Sequence, residues 1–155
     1  MIKVLFVCLG NICRSPTADG VFRKKLFEQG LADHVEVDSC GTGDWHTGKA
    51  PDQRAQAAAR KRGYDLSGLR ARTVQLSDFD TFDFILAMDD NNLTDLLNMA
   101  PLHHHSKVRL LLDYAPVTGL KAVPDPYYEG ADGFEQVLDL VEQACDGLLD
   151  HIKAN

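Results

Sequence analysis

Lys3-Val4-Leu5-Phe6-Val7-Cys8-Leu9-Gly10-Asn11-Ile12-Cys13-Arg14-Ser15-Pro16 decides how this chain is read. Its first half is an apolar, partly β-branched run without polar alternation, the pattern of a strand covered on both faces. Its second half turns through Gly10 and Asn11 and meets Ser15-Pro16, a helix cap followed by proline at the first helical position. Ala18, Val21, Phe22 and Leu26 continue as one apolar stripe at helical spacing. Strand, tight loop and helix in direct succession open a βαβ unit.

The alternation persists along the chain. Residues 35–40, 82–88 and 108–112 are strand candidates beside residues 3–8. Helices are expected from Pro51-Asp52 to Gly63, from the Asp89-Asp90-Asn91-Asn92 cluster onward, and along the stripe Phe134, Val137, Leu138, Val141, Cys145, Leu148, Leu149 and Ile152. The expectation is an α/β fold: one domain over residues 1–155, with a four-stranded parallel sheet and helices on both faces. A chain of this length buries roughly 70% of its unfolded surface and needs neither disulfide nor metal to fold. Ligands of such sheets bind beyond the carboxyl ends of the strands, so chemistry is sought in the loops found there.

Composition narrows the partners. Sixteen Lys and Arg against 23 Asp and Glu give a net charge of -7, unsuited to nucleic acid or an anionic membrane surface. No apolar run approaches the ~18–20 residues of a membrane span, and the N-terminal run is too short for a signal peptide. The expected location is cytoplasmic, which keeps Cys8, Cys13, Cys40 and Cys145 reduced. None of them forms a Cys-x-x-Cys pair, so no structural zinc site is expected; no cofactor is expected either. His103-His104-His105 reads as a solvated loop whose side chains point in different directions.

Between strand and helix lies Cys8-x5-Arg14-Ser15. A bound phosphate needs several N–H donors converging on it, and a tight loop feeding a helix N-terminus supplies them. Gly10 and Asn11 tolerate the positive φ that turns such groups inward. Arg14 adds a planar fork for two phosphoryl oxygens. Cys8 lies at the loop's start, where a helix N-terminus and a guanidinium favour a nucleophilic thiolate able to form a phosphocysteine. Ser15 is placed to hydrogen-bond that sulfur and ease its departure.

Cys8-Leu9-Gly10-Asn11-Ile12-Cys13-Arg14-Ser15-Pro16-Thr17-Ala18 resembles the signature of the low-molecular-weight protein tyrosine phosphatases. A later Asp125-Pro126-Tyr127-Tyr128 and the order of elements extend the resemblance over the whole chain. It implies a small flavodoxin-like domain that hydrolyses phosphotyrosine and small aryl phosphate monoesters without metal, releasing inorganic phosphate. Its partners would be a tyrosine-phosphorylated protein or a small aryl phosphate.

Expelling a phenolate calls for a proton donor, and two acidic clusters compete for that role. Asp89-Asp90 follows a strand but precedes a helix, where Asp usually caps. Asp125 lies between Pro124 and Pro126, which stiffen its loop. The resemblance assigns the donor to Asp125, with Tyr127 and Tyr128 as walls of the substrate cleft. Trp45, alone of its kind on a glycine-flanked loop, suits stacking on an aromatic substrate. The family uses an aromatic there, and the residue matching Leu9, to select the substrate.

Cys13 reads as a small buried hydrophobe. The resemblance adds that oxidation links Cys8 to Cys13 and spares the nucleophile from over-oxidation. One departure stands out. Where the family carries His in a His-x-Ala-Arg segment supporting the loop asparagine, this chain has Leu69-Arg70-Ala71-Arg72, so Asn11 must find other partners, for example Ser39. Two rival readings remain. A thiol-dependent arsenate reductase needs two further relay thiols, and no cysteine lies between Cys40 and Cys145. A phosphate- or phosphotyrosine-binding module would bind without turnover.

Overall fold

A computed structural model of the chain describes residues 1–127 and 130–155. Its central strand is β1 (Ile2–Cys8), buried from Val4 to Cys8. Val4, Phe6 and Cys8 join one apolar cluster and Leu5 and Val7 the other, which is why the strand carries no polar alternation. β2 (Val35–Gly41) flanks β1 on one side and β3 (Phe84–Ala87) on the other, with β4 (Val108–Leu110) beyond β3. All three pairings are parallel, in the order β2-β1-β3-β4. The chain leaves β1 first towards β2 and later returns to β3. The carboxyl end of β1 is therefore the topological switch point, where parallel sheets open a crevice.

Helices cover both faces. α1 (Arg14–Glu28), α2 (Gln53–Lys61) and α5 (Ala131–Ala154) enclose the cluster containing Phe6 and Cys8. α3 (Asp78–Thr81) and α4 (Asp90–Met99) close the other through Phe79 and Leu96. The predicted stripe of α1 is wholly buried, and Asp52 caps α2 by accepting from the Arg54 N–H at 2.8 Å.

Three local expectations are corrected. Ser15 does not cap α1. The helix starts at Arg14, two residues before the expected first position at Pro16, and the Ser15 hydroxyl is engaged by the loop instead. Phe82 and Met88 are buried but lie outside β3, which is confined to four residues. β4 ends at Leu110, after which Leu111–Tyr114 tighten into a 3₁₀ turn that presses Leu111 and Leu112 into the core. The histidine run is also more ordered than a splayed loop. His103 and His104 lie ring to ring at 4.1 Å, His104 Nε2 is 2.7 Å from Asp80, and only His105 turns away, onto the Ala100 carbonyl.

α5 crosses that 3₁₀ turn at Gly147. A Cβ there would lie 1.8 Å from the Tyr114 carbonyl oxygen, a backbone atom that cannot swing aside. Helix propensity alone would favour alanine by up to about 1 kcal/mol. The clash has the opposite sign and wins, so Gly147→Ala is expected to lose about 3 kcal/mol in denaturant unfolding. A variant as stable as the parent would contradict this close approach.

Candidate active site

The loop after β1 wraps around the Cys8 sulfur. The Asn11 N–H donates to Sγ at 3.3 Å, and Ser15 Oγ lies 3.0 Å from it. Asn11 sits at φ 57°, the left-handed conformation that asparagine tolerates and that turns its amide inward. Gly10, by contrast, has no positive φ; its missing side chain makes room for His46, whose Cδ2 a Cβ would meet at 3.0 Å. α1 begins within this loop, so its first-turn N–H groups face the same space.

Asn11 is held from three sides. Its Nδ2 donates to Ser15 Oγ at 2.7 Å and to Ser39 Oγ at 3.0 Å, and its Oδ1 accepts from the Arg72 N–H at 3.0 Å. Leu69 offers no polar support to Asn11; the Arg72 backbone does. The Arg72 guanidinium bonds Asp38 and Asp78 at 3.0–3.1 Å, which fixes the backbone that grips Asn11. A second seam runs along the loop's outer edge. Thr42 N–H donates to the Cys8 carbonyl and Gly43 N–H to that of Leu9, each at 2.9 Å. Gly41 is required here, since a Cβ would come within 2.6 Å of the Leu9 oxygen.

Arg14 is buried beside the sulfur. Nη1 donates to Asp89 Oδ2 at 2.6 Å and to the Val123 carbonyl at 3.1 Å, and Nη2 lies 3.7 Å from Asp125 Oδ2. Burial opposes its charge, but Cys8 and the carboxylates of Asp89 and Asp125 outweigh burial and raise its pKa. Asp89 therefore has two tasks. Its other oxygen caps α4 by accepting from Asn92 N–H at 2.8 Å, as its sequence position suggested. Holding Arg14 was not foreseen, although a carboxylate at the end of the strand beside β1 is well placed to meet the loop's arginine.

Asp125 reaches the cleft on the segment that follows Val123. Val123 N–H donates to the Met88 carbonyl at 2.8 Å, which ties the start of the acidic loop to the end of β3. Cys8, Leu9, Gly10, Ile12, Cys13, Arg14, Trp45, His46, Asp125 and Tyr127 line one cleft of about 340 Å³. Trp45 is 67% exposed and packs its ring over Gly43, where a Cβ would fall 1.9 Å from it. His46 faces Tyr127 across the opening, ring centroids 6.4 Å apart. Nothing in the spacing of the sequence marked His46. Tyr128 lies outside the described residues.

Three further thiols are buried. Burial, followed by the Asp52 carboxylate, pushes Cys13 up to about 12, and burial likewise raises Cys40 and Cys145. At neutral pH all three are protonated.

A profile of the family described as low molecular weight phosphotyrosine protein phosphatase matches residues 3–155. The chain belongs to that family. A low molecular weight protein-tyrosine-phosphatase of Bacillus subtilis, YfkJ, is 44% identical over 153 residues, covering 99% of this chain and 97% of its own. The human low molecular weight phosphotyrosine protein phosphatase is 40% identical over 150 residues, covering 96% and 94%. The crystal structure of a protein tyrosine phosphatase from Entamoeba histolytica superposes with a TM-score of 0.97 at 39% identity, covering 99% and 98%. This low molecular weight phosphatase has no helix, among its described residues, long and apolar enough to cross a membrane.

Proposed function

We propose that the chain hydrolyses phosphotyrosine and small aryl phosphate monoesters through a phosphocysteine on Cys8. The observation that supports this most is the meeting of Cys8, Arg14 and Asp125 in one cleft with aromatic walls. The Cys8 thiolate attacks phosphorus while Arg14 and the amides of residues 9–15 hold the phosphoryl oxygens. The bond from phosphorus to the aryl oxygen breaks with its electron pair on oxygen, which takes the proton of Asp125. Water then attacks the phosphocysteine and gives a proton to the Asp125 carboxylate. The sulfur leaves as thiolate, eased by a hydrogen bond from Ser15, and inorganic phosphate departs.

Leu9, Trp45 and Tyr127 form the walls of a slot suited to an aromatic ring, while the shorter phosphoserine would reach Cys8 poorly. The arsenate reductase alternative needs two relay thiols, and Cys40 and Cys145 are fully buried with their thiols held protonated.

The test is hydrolysis of para-nitrophenyl phosphate and a phosphotyrosine peptide across pH in the presence of chelator. The reaction needs a thiolate and a protonated carboxyl together, so kcat/KM is expected to rise and then fall as pH increases. Asp125→Asn should lower kcat/KM for the peptide by about 10²-fold. Phosphate binding without turnover by the unmodified chain would reject the proposal in favour of a binding module.

A further inference from the structure

The acidic loop is tied to the phosphate-binding loop by a bridge that includes Arg54, at the start of α2. Asp52 N–H donates to the Ile12 carbonyl at 2.8 Å, which anchors this end of α2 to the loop around Cys8. The Asp52 carboxylate accepts Arg54 Nε at 3.1 Å and Nη2 at 2.9 Å, a two-point grip that fixes the guanidinium plane. Nη2 also donates to the Tyr127 carbonyl at 2.9 Å. The guanidinium lies over two rings, 5.5 Å from the centroid of Tyr127 and 4.9 Å from that of Phe134 on α5. From Tyr127 the bridge returns to the acid, since Tyr127 N–H donates to Asp125 Oδ1 at 3.1 Å. The Tyr127 backbone is thus held at its carbonyl by Arg54 and at its N–H by Asp125 itself.

We propose that Arg54 is a positioning residue that sets the Asp125 carboxyl against the leaving oxygen by holding the Tyr127 peptide. This rests on the assignment of Asp125 as the acid. Proton transfer in the transition state demands hydrogen-bond reach, and a shift of about 1 Å can cost on the order of 10²-fold. Lysine could supply a donor to the Tyr127 carbonyl but neither the two-point grip on Asp52 nor the planar stack on two rings. Arg54 is half exposed, so removing its head group does not open the core.

A structural prop and an acid-positioning bridge differ in how they respond to the leaving group. Phenolate, as poor a leaving group as tyrosine's own side chain with its pKa of about 10, needs the proton; nitrophenolate, which delocalises its charge, needs it far less. For Arg54→Met, kcat/KM is expected to fall about tenfold with phenyl phosphate and by about twofold or less with para-nitrophenyl phosphate, a fraction of the full contribution of the acid. Arg54→Lys should lie between Arg54→Met and the parent. In an Asp125→Asn background, Arg54→Met should cost nothing further, because the group it positions is already gone. Equal losses on the two substrates, or a further loss in the Asp125→Asn background, would overturn the bridge while leaving Asp125 as the acid. If Asp125→Asn alone proves indifferent to the leaving group, the acid assignment fails and the bridge fails with it. Matching thermal unfolding curves for the variants would separate either result from loss of fold.

Discussion

Cys8→Ser is expected to abolish hydrolysis of both para-nitrophenyl phosphate and a phosphotyrosine peptide, by at least about 10⁴-fold in kcat, while the protein stays folded and still binds phosphate. The change swaps sulfur for oxygen in a pocket whose neighbours already pair with a polar atom: the Asn11 N–H and Ser15 Oγ both reach the side-chain position. Stability should move little. What is lost is the nucleophile, because a hydroxyl in this setting has no adjacent base to ionise it. The donors that would hold the phosphoryl oxygens are untouched, so phosphate should bind Cys8→Ser with an affinity close to that of the parent. Isothermal titration with phosphate and a steady-state assay on the same preparation check both halves. Residual turnover within tenfold of the parent would remove Cys8 from the reaction.

The second large effect is expected from Arg14→Lys, a substitution that keeps the charge. Arg14 reaches three acceptors on two different segments: Asp89, the Val123 carbonyl and, at longer range, Asp125. An ammonium is a point donor on a flexible stem and cannot keep the planar edge that would face two phosphoryl oxygens while also serving these groups. A loss of about 10³-fold in kcat/KM is expected, close to 4 kcal/mol of transition-state stabilisation. Because Arg14 also links Asp89 to the start of the acidic loop, part of the loss should appear as weaker leaving-group assistance. A loss below tenfold would mean that charge alone is what the site requires.

Much of this was legible from residue patterns. The doubled burial of β1 follows directly from Val4-Leu5-Phe6-Val7, and the stripe of α5 from its helical spacing. The identity and order of the phosphate-binding loop are local in sequence, so Cys8, Arg14 and Ser15 could be placed together before any contact was known. Where the reading slipped, a residue served something distant. Ser15 looks like a cap by its neighbours, yet its hydroxyl is claimed by Cys8 and Asn11. Gly10 looks like a turn residue, yet what it yields is room for His46. Asp89, Arg72 and Arg54 act through partners tens of residues away, and no periodicity encodes such pairings.

The placement of Cys8 has a consequence for how the molecule comes into being. The strand that bears it precedes the other three in the chain yet lies inside the sheet, and needs β3 on its open side. The core cluster beneath the sulfur is completed by the last helix, α5. During synthesis, therefore, the thiol emerges into an unfinished pocket, and the cluster beneath it closes only once α5 has followed. Pairings between such remote segments slow folding. A ribosome-bound chain that stops before α5 would carry Cys8 on a strand whose core cluster is still incomplete, without the fixed cleft in which the finished protein sets its sulfur.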